Sequence, residues 1–452
     1  MQNRKPINRR SFLQGAAAVT AGAAWINPSW LRAEGGNKLR VVGVGVGGQG
    51  GHDIVQVAEH ADTTIVGVVD VDLNSAERAA GRFDCDYWQD YREAFRALGD
   101  GFDAVVVSTP DHMHAPIAMS AMNMDKHVYC QKPLTWCVAE SRALSAAAQT
   151  KGHLATQMGT QIASAAHKRR SVRALEEGVI GKIRAIHCWS DRPNNWWPQG
   201  TERAQGEDPV PENLDWDKWI GVAPMRPFKN NTYAPFRWRG VKDFGCGAIG
   251  DMACHIADTP FYALGLTNPL SVIAHCDDAT DDKYPSKQVV EMVFAGSDMT
   301  TDDTLPLTWY DGGNMPDPEA LGLPAGFELA QNSCALIGEN GIFIVPYILP
   351  SGVEHSTLVV NGEATPYEGN TRLRARNHYH HWVDACMGWG ETETHFAFAS
   401  KLTESFLIGA VASRFPGQSL DWDADNMRFT NLDAANAFVG REYRAGWEVE
   451  NL

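Results

Sequence analysis

The chain has 452 residues, with 39 lysines and arginines against 55 aspartates and glutamates, and its formal net charge is −16. This acidic balance excludes nucleic acid as the main partner. An apolar fraction of 44% can bury a substantial core, and the length suggests two or three folded domains. Nine cysteines without a CxxC pair exclude a disulfide scaffold and indicate buried thiols.

The first 33 residues predict an export signal that is separate from the fold. Residues 8–14, Asn-Arg-Arg-Ser-Phe-Leu-Gln, match the twin-arginine pattern, and an apolar stretch rich in alanine and glycine follows. That stretch is too short for a membrane span. We therefore predict a cleaved signal over 1–33 and a periplasmic mature protein of charge −21 without a membrane span. An uncleaved anchor is the alternative.

A glycine-rich turn follows the first predicted strand, Leu39–Val44, and begins a predicted helix. Its GxGxxG pattern is typical of a dinucleotide site, where Gly45 permits a tight turn, Gly47 admits a pyrophosphate and Gly50 allows close packing. A register that starts two residues earlier also fits loosely, and a purely structural turn is the alternative. The turn residues predicted to hold the cofactor are Gly45, Gly47, Gly48, Gln49 and Gly50.

Asp70 ends the second predicted strand, which begins at Thr63, and it lies 20 residues beyond Gly50. A carboxylate at this spacing can bind the 2′-hydroxyl of an adenosine ribose and would repel a 2′-phosphate. Because no arginine follows at once, the sequence predicts NAD rather than NADP as the cofactor.

Two later segments carry a family resemblance. Residues 108–114, Ser-Thr-Pro-Asp-His-Met-His, and residues 126–134, Lys-His-Val-Tyr-Cys-Gln-Lys-Pro-Leu, resemble the TPxxxH loop and the GKHVxxEKP segment of the Gfo/Idh/MocA oxidoreductases. The resemblance implies a loop near the nicotinamide and a catalytic or substrate-orienting role for Lys132. Gln131 departs from the family glutamate, so it can bind a ribose hydroxyl without supplying charge. The cofactor-binding residues added in this way are Ser108, Thr109, Pro110, His114, Gln131 and Lys132.

The catalytic prediction combines Lys132 with a DxxxH segment, Asp251 to His255, that follows a glycine-rich turn. The spacing puts a carboxylate and an imidazole on one face of a helix, where the imidazole can act as a base. Alone, this pattern is more often a pair on a helix surface or half of a metal site. The resemblance implies that His255 is the base, that Asp251 is its partner or a ligand for a substrate hydroxyl, and that Lys132 stabilises a developing alkoxide.

The resemblance also implies the fold class, which is α/β. A Rossmann domain over 38–160 would precede an α/β domain over 161–452, built on a mixed, mostly antiparallel sheet and forming dimers or tetramers. The segment 190–240 is rich in aromatic residues and prolines, which favours sugar recognition and a self-packed loop about equally. The candidate substrate residues are His187, Tyr233, Arg237 and Trp238.

Two late segments carry weaker predictions. The imidazoles of residues 378–381 lack the HExxH spacing, so we expect a packed cluster and no metal site. Residues 400–413 predict an amphipathic helix.

Export limits the reactions that an NAD-dependent protein can carry out, because the periplasm should hold little free nicotinamide nucleotide. The first hypothesis is an NAD-dependent oxidoreductase that acts on a carbohydrate hydroxyl and recycles a tightly bound cofactor. The alternative is a glycosidase that works by oxidation, elimination and reduction, as in the NAD-dependent α-N-acetylgalactosaminidases that the sequence also resembles. A third hypothesis is a sugar-binding module without catalysis.

Overall fold

A computed structural model describes residues 38–349 and 355–452. The predicted signal over 1–33 lies outside these residues. Residues 38–452 form one compact unit that contains two sheets.

The first sheet has six parallel strands in the order β3-β2-β1-β4-β5-β6. Its central strand β4 is entirely apolar and buried, as expected when helices cover both faces of a parallel sheet. The strand order reverses between β1 and β4, where doubly wound folds bind their ligands. The strands are β1 Leu39–Val44, β2 Thr63–Val69, β3 Asp86–Trp88, β4 Ala104–Val107, β5 His127–Cys130 and β6 Thr156–Met158. The helices are α1 Gly48–Ala58, α2 Leu73–Phe83, α3 Tyr91–Leu98, α4 His114–Asn123 and α5 Val138–Thr150.

The second sheet has ten strands in the order β14-β13-β12-β11-β7-β10-β9-β8-β15-β16. Only the central β7–β10 pair is parallel, which confirms a mixed, mostly antiparallel sheet. The strands are β7 Ile183–Trp189, β8 Ser271–His275, β9 Gln288–Ala295, β10 Thr304–Asp311, β11 Ser333–Gly338, β12 Ile342–Pro346, β13 Ser356–Val360, β14 Glu363–Tyr367, β15 Leu420–Asp423 and β16 Arg428–Phe429. The helices are α6 Ala166–Glu176, α7 Trp216–Ile220, α8 Gly247–Ile256, α9 Asp258–Leu264, α10 Pro318–Leu321, α11 His378–Cys386 and α12 Phe396–Ala412.

Two late helices are defined by the elements that they pack against. α12 was expected to be amphipathic over 400–413, but it begins at Phe396 and is buried almost all round, because α5 and α8 both pack against it. α11 packs back onto α1 of the first half, where Tyr379 and Trp382 join the core beneath the parallel sheet. The clustered imidazoles therefore belong to a packed helix: the ring nitrogens of His378 contact Ser164 Oγ and the Met158 carbonyl oxygen.

The aromatic segment 190–240 divides into packed and open parts. Most of its rings belong to one aromatic cluster. Trp196 and Phe236 are 54% and 40% exposed and stand on the wall of a cleft described below. The buried cluster contains Trp216, Trp219, Tyr233, Trp238 and, from the next segment, Phe244.

Candidate active site

The glycine turn adopts the first of the two registers considered. Gly45 has a φ of +78°, and a Cβ added there would lie 2.6 Å from the Ser108 carbonyl oxygen. Gly47 is the N-cap of α1, and a Cβ at Gly50 would overlap the Gly45 carbonyl oxygen. The turn thus needs glycine at 45 and 50, and Gly48 also has a positive φ of +49° although the space around it is open. This arrangement fits a dinucleotide, because the helix N-terminus and bare backbone N–H groups attract phosphate.

Asp70 fastens this turn to the end of β2. Its Oδ2 accepts hydrogen bonds from the backbone N–H groups of Val46 and Gly47, at 2.9 and 3.1 Å. Burial raises the pKa of Asp70 above its ordinary value, although these bonds oppose the shift. Asp70 also lines the cleft, and its Oδ1, which accepts only the Asp72 backbone N–H at 3.0 Å among the described residues, can accept a further bond from a ribose hydroxyl.

The loop after β4 and the turn after β5 meet through His114. The His114 ring nitrogens lie 2.7 Å from the Pro133 carbonyl oxygen and 2.9 Å from the Thr109 carbonyl oxygen. This buried imidazole holds the loop and the turn together. It does not line the cleft, so the structure does not support His114 as a direct cofactor ligand. Ser108, Thr109 and Pro110 do line the cleft. The Thr109 hydroxyl is buried without a hydrogen-bond partner among the described residues, as expected for a group that faces an absent ligand.

The predicted Lys132 and Asp251 are brought into direct contact, with the Lys132 ammonium on Asp251 Oδ1. The same oxygen lies 3.2 Å from Nη1 of Arg239, which also donates to the buried carboxylate of Asp111. Burial alone would raise the pKa of Asp251, but Arg239 and Lys132 outweigh it and hold that pKa well below its usual range. The site therefore contains a permanently charged aspartate between two cations.

His255 lies one helical turn beyond Asp251 on α8 and faces the same cleft. Burial, reinforced by the charge of Lys132, lowers the pKa of His255 well below its ordinary value, so the imidazole is neutral near pH 7. Its Nδ1 has no hydrogen-bond partner within 38–349 and 355–452. The pairing of His255 with Asp251, one of the two roles expected for that carboxylate, is not formed, because among the described residues Asp251 Oδ1 pairs with Lys132 and Arg239. The ring packs on Tyr347, with centroids 4.9 Å apart.

Lys168 is a buried lysine that binds the C-terminal end of α8. It is 1% exposed, and its Nζ donates to the His255 carbonyl oxygen at 3.0 Å and to Asp258 Oδ1 at 2.9 Å. The lysine thereby fixes the backbone that carries the imidazole.

Replacing Lys168 with methionine is expected to lower the free energy of unfolding by about 3–5 kcal/mol, because Asp258 would remain buried without its cation. Denaturant unfolding measures the loss. Lys151→Met is the control, since its partner Asp125 is 62% exposed and such pairs contribute at most about 1 kcal/mol. Equal effects in the two variants would contradict this account of Lys168.

The four candidate substrate residues do not share one location. His187 lies on the sheet face opposite to the helix-covered core and contacts the Tyr310 hydroxyl at 3.1 Å. Tyr233 is buried in the aromatic cluster, and Arg237 is exposed outside the cleft wall. Trp238 alone of the four lines the cleft, so we withdraw the other three as substrate ligands.

Arg239 and Tyr347 are the site residues that the sequence did not reveal. Arg239 sits in the 3-10 turn Arg237–Gly240, where it is buried together with Trp238 while Arg237 is exposed. Tyr347 follows β12 and enters the site from the second sheet. Its pKa is raised to about 12 by burial, so it is a neutral phenol at physiological pH. Neither residue lies in a recognisable local motif.

One cleft of about 780 Å³ joins the glycine turn to the Lys132, Asp251 and His255 cluster. Its nucleotide end is lined by the glycine turn and Asp70, and its reactive end by Lys132, Asp251 and His255. At the reactive end Arg192 stacks over the Trp196 ring at 4.2 Å. Across the described residues, three or more histidine, cysteine, aspartate or glutamate side chains are nowhere arranged to hold a metal ion. No helix in that part of the chain has the length and apolar character to cross a membrane.

Comparison with protein families identifies the chain. The model of the Gfo/Idh/MocA oxidoreductase family, NAD-binding Rossmann fold, matches residues 39–159, and that of the family's C-terminal alpha/beta domain matches residues 171–301. The two matches cover more than half of the chain, which therefore belongs to this family of NAD-binding proteins. Residues 6–24 match the twin-arginine translocation signal, which confirms the predicted export signal.

Individual relatives are more distant. Levoglucosan dehydrogenase of Pseudarthrobacter phenanthrenivorans is 28% identical over 200 residues, which are 42% of this chain and 40% of the relative. Inositol 2-dehydrogenase 4 of Saccharopolyspora erythraea is 29% identical over 185 residues, 40% of this chain and 54% of the relative. The matches thus span about half the length of these relatives. The WlbA dehydrogenase of Bordetella pertussis, solved with NADH and UDP-GlcNAcA, shares the fold with a TM-score of 0.61, 18% identity and coverage of 86% and 99%.

Proposed function

We propose that the protein is an NAD-dependent oxidoreductase that acts on a hydroxyl-bearing carbon of a sugar or glycoside. One observation carries the proposal: a single cleft joins the dinucleotide turn to the Lys132, Asp251 and His255 cluster. The named sugar and inositol dehydrogenases among its relatives support the substrate class.

The NAD would lie along the cleft from Asp70 to Gln131. The backbone N–H groups at the start of α1 would hold the pyrophosphate, and Asp70 would accept from the adenosine ribose. Thr109, whose buried hydroxyl has no partner in the described structure, would face the nicotinamide half. When bound, NAD accepts a hydride from the carbon that bears the hydroxyl.

The protein's own residues handle the proton. Neutral His255 accepts the hydroxyl proton, and the adjacent Lys132 ammonium stabilises the alkoxide that develops. Asp251 keeps Lys132 in place and, with Arg239, balances the charge of the site. The reverse sequence returns the proton when a second sugar is reduced.

We further propose that the NAD is retained and recycled. A strap formed by residues 211–219 lines the cleft and is bonded to the residues that follow Asp70. Within it the Asn213 carbonyl oxygen accepts from Leu73 N at 2.8 Å, its side chain donates to Asp72 Oδ1 at 2.6 Å, and Asp215 N donates to the Val71 carbonyl oxygen at 3.0 Å. The C-terminal Trp447 also lines the cleft. Retention suits the exported, periplasmic protein that we propose, because the cofactor must be loaded before transport.

Retention is tested by unfolding the purified mature protein after extensive dialysis and assaying the released nucleotide. We expect close to one NAD per chain. A protein that binds added NAD but loses it on dialysis would show that the cofactor exchanges freely, and would contradict the recycling proposal while leaving the oxidoreductase intact.

Tyr347 favours a second candidate function, the NAD-dependent glycosidase. Elimination needs an additional acid or base, and neutral Tyr347 stands beside His255 in the cleft. Nitrophenyl glycosides separate the two functions. Release of nitrophenol without any second sugar would establish the glycosidase, whereas paired sugar oxidation and reduction would establish the oxidoreductase.

We also propose a dimer or tetramer, as in the family, formed through the face of the second sheet that the helices leave open. Half-exposed side chains on that face are Ile273, Val289, Val293 and Tyr310. Light scattering on the mature protein tests this, and a monomer would contradict it.

A further inference from the structure

Asp53 is a fully buried carboxylate directly behind the cleft wall. It lies on α1, one turn beyond Gln49 of the glycine turn. In the described residues no lysine or arginine pairs with it, so hydrogen-bond donors alone compensate its burial. Four side chains from four different elements donate to it: Gln49 Nε2 at 2.7 Å, Tyr379 OH at 2.7 Å, Ser108 Oγ at 2.8 Å and Gln131 Nε2 at 2.8 Å.

The contact with Gln131 fixes how that amide is presented. A carboxylate only accepts, so the Gln131 NH2 group must face Asp53 and its carbonyl oxygen must lie on the opposite side of the planar amide. There Oε1 accepts from the Lys132 backbone N–H at 3.3 Å. The amide packs closely against Gly159, because a Cβ at that position would lie 2.8 Å from the Gln131 side chain.

We propose that Asp53 is a positioning residue for the nucleotide: it orients Gln131 so that a hydrogen-bond acceptor, rather than a donor, faces the nicotinamide ribose. Gln131 lines the cleft next to Lys132, at the reactive end and away from Asp70. The family pattern has a glutamate at position 131. Here position 131 is a neutral glutamine, and the negative charge lies on Asp53 of α1, to which Gln131 donates. The inference rests on the proposed function only for the nucleotide and its direction in the cleft.

Asp53→Asn tests the orientation. The asparagine replaces one carboxylate oxygen with an NH2 group. When that group faces Gln131, the Gln131 amide must turn its own oxygen toward position 53 and present its NH2 group to the cleft. We expect bound NAD to exchange with labelled NAD about 10- to 100-fold faster, which is the cost of one misdirected buried hydrogen bond. Labelled ADP, which lacks the nicotinamide ribose, should leave at the wild-type rate.

The rescue variant separates positioning from a general structural role. Gln131→Glu alone sets two carboxylates against each other and should also speed NAD loss. Combined with Asp53→Asn, it restores a donor at position 53 and an acceptor toward the cleft, so we expect NAD exchange to return toward the wild-type rate. Tyr379→Phe removes a donor from the other oxygen of Asp53 and should affect NAD much less.

Equal acceleration of NAD and ADP loss, or a double variant no slower than the faster single variant, would overturn the proposal. Asp62→Asn, a 47%-exposed carboxylate beyond the same helix, is the matched control. A wild-type protein that binds NAD but oxidises no sugar would refute the proposed function and leave this inference standing.

Discussion

Replacing His255 with asparagine is expected to lower turnover by about 10²- to 10⁴-fold, the usual contribution of a positioned general base. The imidazole is neutral, buried and free at Nδ1 within the described structure, and it stands beside the Lys132 and Asp251 pair. Asparagine retains polarity and approximate size but cannot take the proton. Because His255 lies at the reactive end of the cleft, the NAD content of the variant should match that of the wild type.

His153→Asn is the matched control, since that imidazole is 55% exposed on the loop after α5. Rates are measured with the best substrate from a panel of aldohexoses, inositols and nitrophenyl glycosides. A His255→Asn variant with near wild-type turnover and normal NAD content would remove the base from the proposed mechanism.

Replacing Lys132 with methionine is expected to lower turnover by about 10²- to 10³-fold, as when one charge-stabilising donor is removed from a reaction site. The residual activity should also have a changed pH profile. Burial and the Lys132 charge both lower the pKa of His255, so removing the lysine raises that pKa. The base must be neutral to act, and the acid limb of the pH profile therefore moves to higher pH.

The pH profile of kcat/KM measures this movement, and Lys182→Met, an exposed lysine, is the control. A uniform loss of activity with an unmoved acid limb would mean that Lys132 does not act on the His255 proton. Loss of bound NAD in the Lys132 variant would instead show that the lysine holds the cofactor.

The sequence was sufficient to predict those residues of the candidate site that lie in short local patterns. The turn at Gly45 and Gly50, the carboxylate at Asp70 and the DxxxH segment each follow from spacing within one element or one strand-to-helix junction. Lys132 was predicted from its segment, and the structure brings it onto Asp251, 119 residues along the chain. The first predicted strand, Leu39–Val44, also coincides with β1.

The sequence was insufficient to predict those residues that only the tertiary packing brings to the candidate site. Arg239 and Arg237 are two positions apart in the same turn, and only the fold shows which one enters the cleft. Tyr347 reaches the site across the second sheet, and Asp53 gains its role from four separate elements. α12 is buried on both sides, so its apolar pattern had no polar face to reveal.

Transfer of a deuterium label tests the central claim most directly. The NAD-bound protein is mixed with carbon-deuterated glucose, galactose, N-acetylglucosamine and myo-inositol in turn, then unfolded, and the released nucleotide is analysed by mass spectrometry. The account predicts deuterium on the nicotinamide with at least one of these sugars, and much slower labelling in His255→Asn. Fully loaded wild-type protein whose nicotinamide gains no deuterium from any of them would contradict the claim that this cleft oxidises carbohydrate hydroxyls.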